Sequence, residues 1–483
     1  MSSASKIEYA TETAAPLERG LGLVQASALN IANMVGVGPF ITIPLFLAAM
    51  GGPQAIVGWV VAAVLVLCDG LVWSELGAAL PGSGGTYHFF REIFDRYPWG
   101  RLMPFLFIWQ FLISGTLELA SGYIGALDYV KYALPGLEPW FVKRHVPGGL
   151  SAVAAASCFV IALMLCGRIR VVGWLAVAWC AGTLVTVLAV IAAGLTHFNG
   201  SLLRMPPGAF HLNLAWAVGL AGAMRLAVYD YLGYYNICYL GDEVRQPART
   251  IPRAVIWSVV IVAALYLTMN VSIIAVVPWR EAMASQNIAA MFMERLYGRG
   301  AAIVLTGLII WTAAAGCFAM TLGYSRIPFA AALKGDFFPV FSRLHGKKRY
   351  PWVSLWVITL LTAAFCFLPL GKVIDAAVAV RILVQFVGQI VALRVLRTTR
   401  PAASLPFRMW LYPIPSLLAL AGWIFIWATS GRVLLVSCLG IIGSGIVVFA
   451  AWRLLAGLVV RAPKYSDVVQ ETIYRELPKQ PPP

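Results

Sequence analysis

Apolar runs of about 20 residues follow one another along this chain almost without pause, and each is the length of one membrane crossing. The hydrocarbon core of a bilayer is roughly 30 Å thick and an α-helix rises about 1.5 Å per residue. Breaking the 483-residue sequence at charged or Pro/Gly-rich stretches gives spans at 24–50, 54–80, 102–131, 148–166, 171–196, 212–240, 254–278, 300–333, 352–369, 373–396, 410–430 and 433–460. The expected fold is therefore an all-α integral membrane protein of about twelve transmembrane helices. Composition agrees: 12% charged against 60% hydrophobic residues, with a mean hydropathy of +0.82, cannot cover a water-soluble surface of this size.

A net charge of +16 raises the question of nucleic acid, and the placement of the basic residues answers it. Clusters such as Arg245/Arg249/Arg253 and Arg343/Lys347/Lys348/Arg349 sit in short loops between apolar runs, so they read as topology signals and no nucleic-acid partner is expected. Counted over alternate loops, Lys and Arg divide roughly 25 against 9, which puts both termini in the cytoplasm of a multi-pass cell-membrane protein. The N-terminal stretch through Arg19 carries Glu8, Glu12 and Glu18, unlike a basic, apolar signal peptide. Eight cysteines lie inside apolar runs with no C-x-x-C or His-containing spacing, and read as small buried hydrophobes. Segments 82–101 and 279–299 are too polar to span and read as amphipathic helices on opposite faces; LPKQPPP at the end reads as a disordered tail.

Two spans are interrupted. The first contains Asn33-Met34-Val35-Gly36-Val37-Gly38-Pro39-Phe40, where proline removes a ladder donor and the glycines permit unusual backbone angles. Such backbone must be buried in protein or line a wet cavity, and the freed N–H groups of the second half-helix suit a carboxylate; a proline kink used only for packing is the alternative. The sixth span carries Tyr229, Asp230, Tyr231, Gly233, Tyr234 and Tyr235 near mid-depth, where a lipid-facing helix would be aliphatic. Asp230 is costly there unless it faces a cavity or pairs with a cation. Breaks five spans apart point to an inverted five-plus-five repeat with a site at its interface.

Four motifs carry a family resemblance. Gly36-Val37-Gly38-Pro39-Phe40 is similar to the broken first-helix signature of the amino acid–polyamine–organocation superfamily. Glu75 through Tyr87 (ELGAALPGSGGTY) resembles its ELG-x-x-x-P-x-SGG-x-Y stretch. Glu243 to Pro247 followed by Ile251-Pro252-Arg253-Ala254 resembles the loop after its sixth helix, and Ser325-Arg326 with Gly335-Asp336-Phe337-Phe338-Pro339 the stretch around its eighth. The resemblance implies a leucine-transporter-like fold: a tail over 1–20, five-helix repeats over 21–200 and 205–400, two added helices over 408–461, and a tail over 462–483. It implies a permease that moves amino acids by alternating access, with Gly36, Val37 and Gly38 holding the substrate carboxylate and carbonyls around Tyr229 to Tyr231 receiving the amine. Tyr229 falls at an aromatic gate and Gly233 at the glycine that unwinds the sixth helix.

The candidate substrate-binding set is thus Met34, Gly36, Val37 and Gly38, with Glu118 in the third span and Tyr229, Asp230, Tyr231 and Gly233 in the sixth. Asp230 departs from the L-type branch of the family, which is small or neutral there, and with Glu118 is more like the polyamine-uptake branch. Two mid-membrane carboxylates also suit a cationic or diamine substrate. Glu118 has a structural alternative, pairing with Arg225 or Arg381, and Asp69 is a further candidate proton carrier. No cofactor is expected, and the coupling ion is left open between H+ and Na+: no lysine lies between Lys143 and Lys334, while Thr312, Thr321 and Ser325 are available as oxygen ligands. The five histidines fall in loops or at span ends without catalytic spacing, so no enzyme is expected, and no outward cysteine is placed for a disulfide to a partner; a monomer is plausible.

Overall fold

The computed structural model describes residues 17–401 and 404–458. The polar stretch before residue 17 and the tail over 462–483 lie outside the described residues. Among those described no β-strand forms; two isolated bridges, Leu21 with Val244 and Ser83 with Leu240, join loops. The first five expected spans are occupied by α1 (Leu23–Met34) with α2 (Gly38–Met50), α3 (Ile56–Ala79), α5 (Leu102–Ala133), α7 (Gly149–Leu165) and α8 (Ile169–Thr196), with short α4 (Thr86–Phe94) and α6 (Leu137–Lys143) between them. The next five are α9 (Leu214–Tyr231), α10 (Pro247–Ile274), α12 (Ile288–Tyr324), α14 (Trp352–Phe365), and α15 (Leu370–Arg381) continuing through a π-helical turn into α16 (Gly388–Thr399). Short α11 (Trp279–Ala284) and α13 (Arg326–Leu333) flank α12, and α17 (Ile414–Ala428) and α18 (Arg432–Leu458) follow.

Two boundaries differ from the sequence reading. α10 begins at Pro247 rather than at 254, since proline is pre-organised for a first helical turn and Arg249 and Arg253 can point out from it. The eighth span begins after Gly298, whose φ of 82° parts it from the helix that starts at Ile288, as the separate reading of 279–299 expects; it stops at Tyr324, with residues 326–333 forming the separate α13. The amphipathic reading of 82–101 holds for α4, but Tyr87, Phe89, Phe90, Ile93 and Phe94 are buried in protein rather than laid on the bilayer.

Lipid tails are as apolar as leucine, so close van der Waals approach has to hold these helices together. The chain supplies it with small residues. A Cβ on Gly58 would lie 2.7 Å from Ala223 Cβ, and one on Gly316 3.2 Å from Gly36 Cα. The first contact closes α3 on α9 and the second α12 on the first break, and α1 and α2 pack against α8, α9, α10 and α12. The apolar stretch of α5 is 72% buried and that of α18 only 17%, so α5 runs through the centre and α18 faces lipid.

Candidate functional site at two broken helices

The first span breaks where its glycines predict. α1 ends at Met34, Val35 leaves helical geometry with ψ of 65°, and α2 resumes at Gly38-Pro39 with its axis bent by 44°. In the sixth span α9 ends at Tyr231, Leu232 turns extended with ψ of 141°, and Gly233 sits at φ of 112°. That angle is closed to side chains, and a Cβ there would also lie 2.5 Å from Asn33 Cγ. Beyond it the chain runs on in 3-10 turns at Asn236–Tyr239.

Side chains take over the hydrogen bonds that the broken helices lose. Asn30 donates to the Tyr234 carbonyl at 2.6 Å and accepts from the Ile237 N–H at 3.0 Å, stitching α1 to the unwound segment. The Tyr266 hydroxyl on α10 lies 2.6 Å from the Met34 carbonyl and 3.2 Å from the Asp230 carbonyl, so one proton ties both breaks. Trp59 packs edge-on against Tyr231 and Tyr266, with ring centroids 5.5 and 5.1 Å away.

Where the breaks meet there is a cavity of about 30 Å³, room for one or two waters. Met34, Gly36, Val37 and Gly38 line it from the first span, Tyr229 and Asp230 from the sixth and Glu118 from the third. Two predicted residues lie outside the lining: Tyr231 turns into the aromatic packing with Trp59, and Gly233 shapes the turn. The lining also contains residues absent from the candidate set, among them Asn33, Gly122 on α5 and Ala313 and Gly316 on α12. Small apolar residues carry no chemical signal in a membrane sequence, which hides the eighth span's share. Asn33, a polar residue mid-span among the last two residues of α1, was open to recognition.

The charges divide cleanly. Arg381 Nη1 lies 2.5 Å from Glu118 Oε2, which also accepts from the Tyr324 hydroxyl. Arg381 is fully buried, donates through Nε to Ser114 at 3.1 Å, and faces the rings of Phe111 and Tyr324. Asp230 accepts from Thr42 through Oδ2, while its Oδ1 has no partner and lies against Gly38, where a Cβ would collide with it. Asp69 accepts from Trp73 at 3.0 Å, Tyr234 at 2.5 Å and Trp423 at 3.1 Å, three neutral donors that fasten α3 to the sixth span and α17. Thr312 and Ser325 donate back to carbonyls of their own helix.

The other three motifs meet on the basic face. Glu75 holds Arg397 through two bonds of 2.6 and 2.7 Å, and Glu243 holds Arg326 through two of 2.9 and 3.1 Å. Asp336 accepts from Tyr87 and pairs with Arg91, each at 2.7 Å, and Asp242 accepts from the Ser83 N–H. Lys334 bridges His88 Nδ1 at 3.0 Å and Glu92 at 2.6 Å. Burial, and then the Lys334 ammonium, push the His88 imidazole down to about 4, against about 6.5 in an unfolded chain. Between those values the unfolded chain binds the extra proton, so stability from this contact is complete above the upper value and lost as pH falls to the lower one. Thermal unfolding of the purified protein should shift down more between pH 6.5 and 4 than that of His88→Gln; equal shifts would remove His88 as the cause.

The sequence matches the profile of the amino acid permease family over residues 21–474. It is 28% identical to cationic amino acid transporter 4 of Mus musculus over 371 residues, 73% of this chain and 55% of the relative. It is 26% identical to large neutral amino acids transporter small subunit 2 of Mus musculus over 351 residues, covering 72% and 64%. An uncharacterized transporter of Mycobacterium tuberculosis is 29% identical, covering 72% and 73%. The chain thus spans between about half and two thirds of the length of the mammalian relatives. Broken first and sixth helices, three further motifs joined on one face and a match over nearly the whole sequence lead to one conclusion: this chain belongs to the amino acid permease family.

Proposed function

We propose that this protein is a secondary active transporter that carries amino acids across the cell membrane by alternating access, both termini cytoplasmic. The observation that carries the reading is the meeting of two unwound segments at one small cavity that Asn33, Glu118, Tyr229 and Asp230 enter from an otherwise apolar lining. Unwound backbone offers N–H groups at the start of α2 to a carboxylate and carbonyls at the end of α9 to an amine. Repeats over residues 21–200 and 205–400 would rock about this point. The cavity is too small for an amino acid, so a substrate enters only when the surrounding helices part.

Two contacts fit the part of gates. Tyr229 Oη lies 2.6 Å from Ser121 Oγ, above the cavity on α5, while Arg381 bonds Ser114, seven residues nearer the basic face. A helix rises about 1.5 Å per residue, so the two closures are about 10 Å apart with Glu118 between them.

The unpartnered Oδ1 of Asp230 favours a cationic substrate over a neutral one within the same class, and keeps polyamines as a second reading. A radiolabelled uptake panel in liposomes, with and without pH and sodium gradients, tests both substrate and coupling. Asp230→Asn should lower uptake of lysine or arginine at least tenfold, the scale of one lost charge-assisted hydrogen bond, with a smaller effect on leucine or alanine. Unchanged kinetics in that variant would remove Asp230 from the site.

A further inference from the structure

Three asparagines stand at the two breaks, and they differ in what their amides do. Asn30 engages both amide atoms, and Asn236 donates to the Ala319 carbonyl at 2.8 Å. Asn33 engages neither: its Nδ2 and Oδ1 are buried without a hydrogen-bond partner, although the residue is only 5% exposed and lines the cavity. A buried amide that no protein group pairs must be met by water or by a ligand, a demand that any apolar residue of similar size would avoid. Packing against Gly233 does not account for it, since a leucine could fill that contact. We infer that Asn33 is a specificity-determining residue, whose amide selects substrates with a donor and an acceptor on the same head group.

This deepens the amino acid reading and rests on it. An α-amino acid presents an ammonium, which donates, beside a carboxylate, which accepts. Asn33 Oδ1 meets the first and Asn33 Nδ2 the second. The amine left when that amino acid is decarboxylated has only donors, so it leaves Nδ2 unpaired and the N–H groups at the start of α2 unanswered. Asp230 Oδ1, the other unpartnered polar atom of the lining described above, attracts ammonium groups of both kinds and cannot tell them apart. Discrimination between amino acid and amine therefore falls to Asn33 among the cavity side chains.

The test pairs each amino acid with its own decarboxylation product: lysine with cadaverine, arginine with agmatine, leucine with isopentylamine. Wild-type liposomes should prefer the amino acid at least tenfold. Asn33→Asp, nearly isosteric, replaces the donor by a second anionic acceptor and should reduce that preference at least tenfold. An unchanged preference in Asn33→Asp, or a wild type that carries amine and amino acid equally, overturns the assignment. Should Asn33→Asp not fold, Asn33→Leu, which removes both amide atoms at similar size, decides on the same pairs: a preference reduced at least tenfold supports the assignment, an unchanged preference sinks it. If no amino acid moves or stabilises the wild type, the transport reading itself falls and takes this one with it.

Discussion

Replacing Gly36 with leucine is expected to reduce uptake to background while the purified protein stays folded and monodisperse. A Cβ built on Gly36 has no atom within 4 Å, which in so crowded a region means that it points into the cavity. A leucine side chain exceeds the roughly 30 Å³ available and would occupy the space that a substrate must enter. Its first carbon enters without displacing anything, so the packing cost is confined to the outer carbons and the larger loss falls on binding. Gly38 makes the contrasting control. A Cβ there meets Asp230, so even Gly38→Ala should disturb the carboxylate and lower thermal stability as well as uptake. Uptake in liposomes beside thermal stability in detergent separates the two. Normal transport by Gly36→Leu would place the substrate path elsewhere.

How far the sequence leads depends on what each residue type announces. Glycine beside proline in the middle of an apolar run cannot continue a helix, so the first break was legible to the residue, and Gly233 with its neighbouring tyrosines gave the second. Asp230 and Glu118 were legible because a carboxylate at that depth needs a reason. The reasons were legible only in part. Glu118 pairs with Arg381, one of the two arginines that the sequence offers it, but the choice across 263 positions is fixed by tertiary packing of α5 on α15 and by no local pattern. The same holds for Asp69, whose satisfaction by Trp73, Tyr234 and Trp423 needs α3, α17 and the unwound part of the sixth span in place.

Tyr231 shows a second limit. It stands in the run of polar residues that marks the sixth break, yet successive residues of a helix point about 100° apart, so Tyr229 reaches the cavity while Tyr231 turns toward Trp59. The eighth span shows a third. Its share of the lining is Ala313, Gly316 and Met320, side chains that could equally have faced a neighbouring helix. Three of the family motifs meet on one face through Glu75–Arg397, Glu243–Arg326 and Asp336–Arg91, and that joining is a property of the folded chain.

Arg381→Met should cost about 3–5 kcal/mol of stability, because it leaves the Glu118 carboxylate buried without its cation. The guanidinium also bonds Ser114, lies 3.3 Å from the hydroxyls of Tyr235 and Tyr324, and faces two aromatic rings, so its removal loosens four elements at once. A second substitution separates charge from packing. In Arg381→Met/Glu118→Gln no charge remains, and a similar volume of side chain fills the space, so most of the lost stability should return. Transport should not return with it. If the pair closes the cavity toward the basic face, a neutral and apolar plug shifts the balance between closed and open forms, and uptake in the double variant stays well below wild type at near wild-type thermal stability. Recovery of both together would make Glu118–Arg381 a structural pair alone, and would leave Tyr229–Ser121 as the closure that the cavity still has.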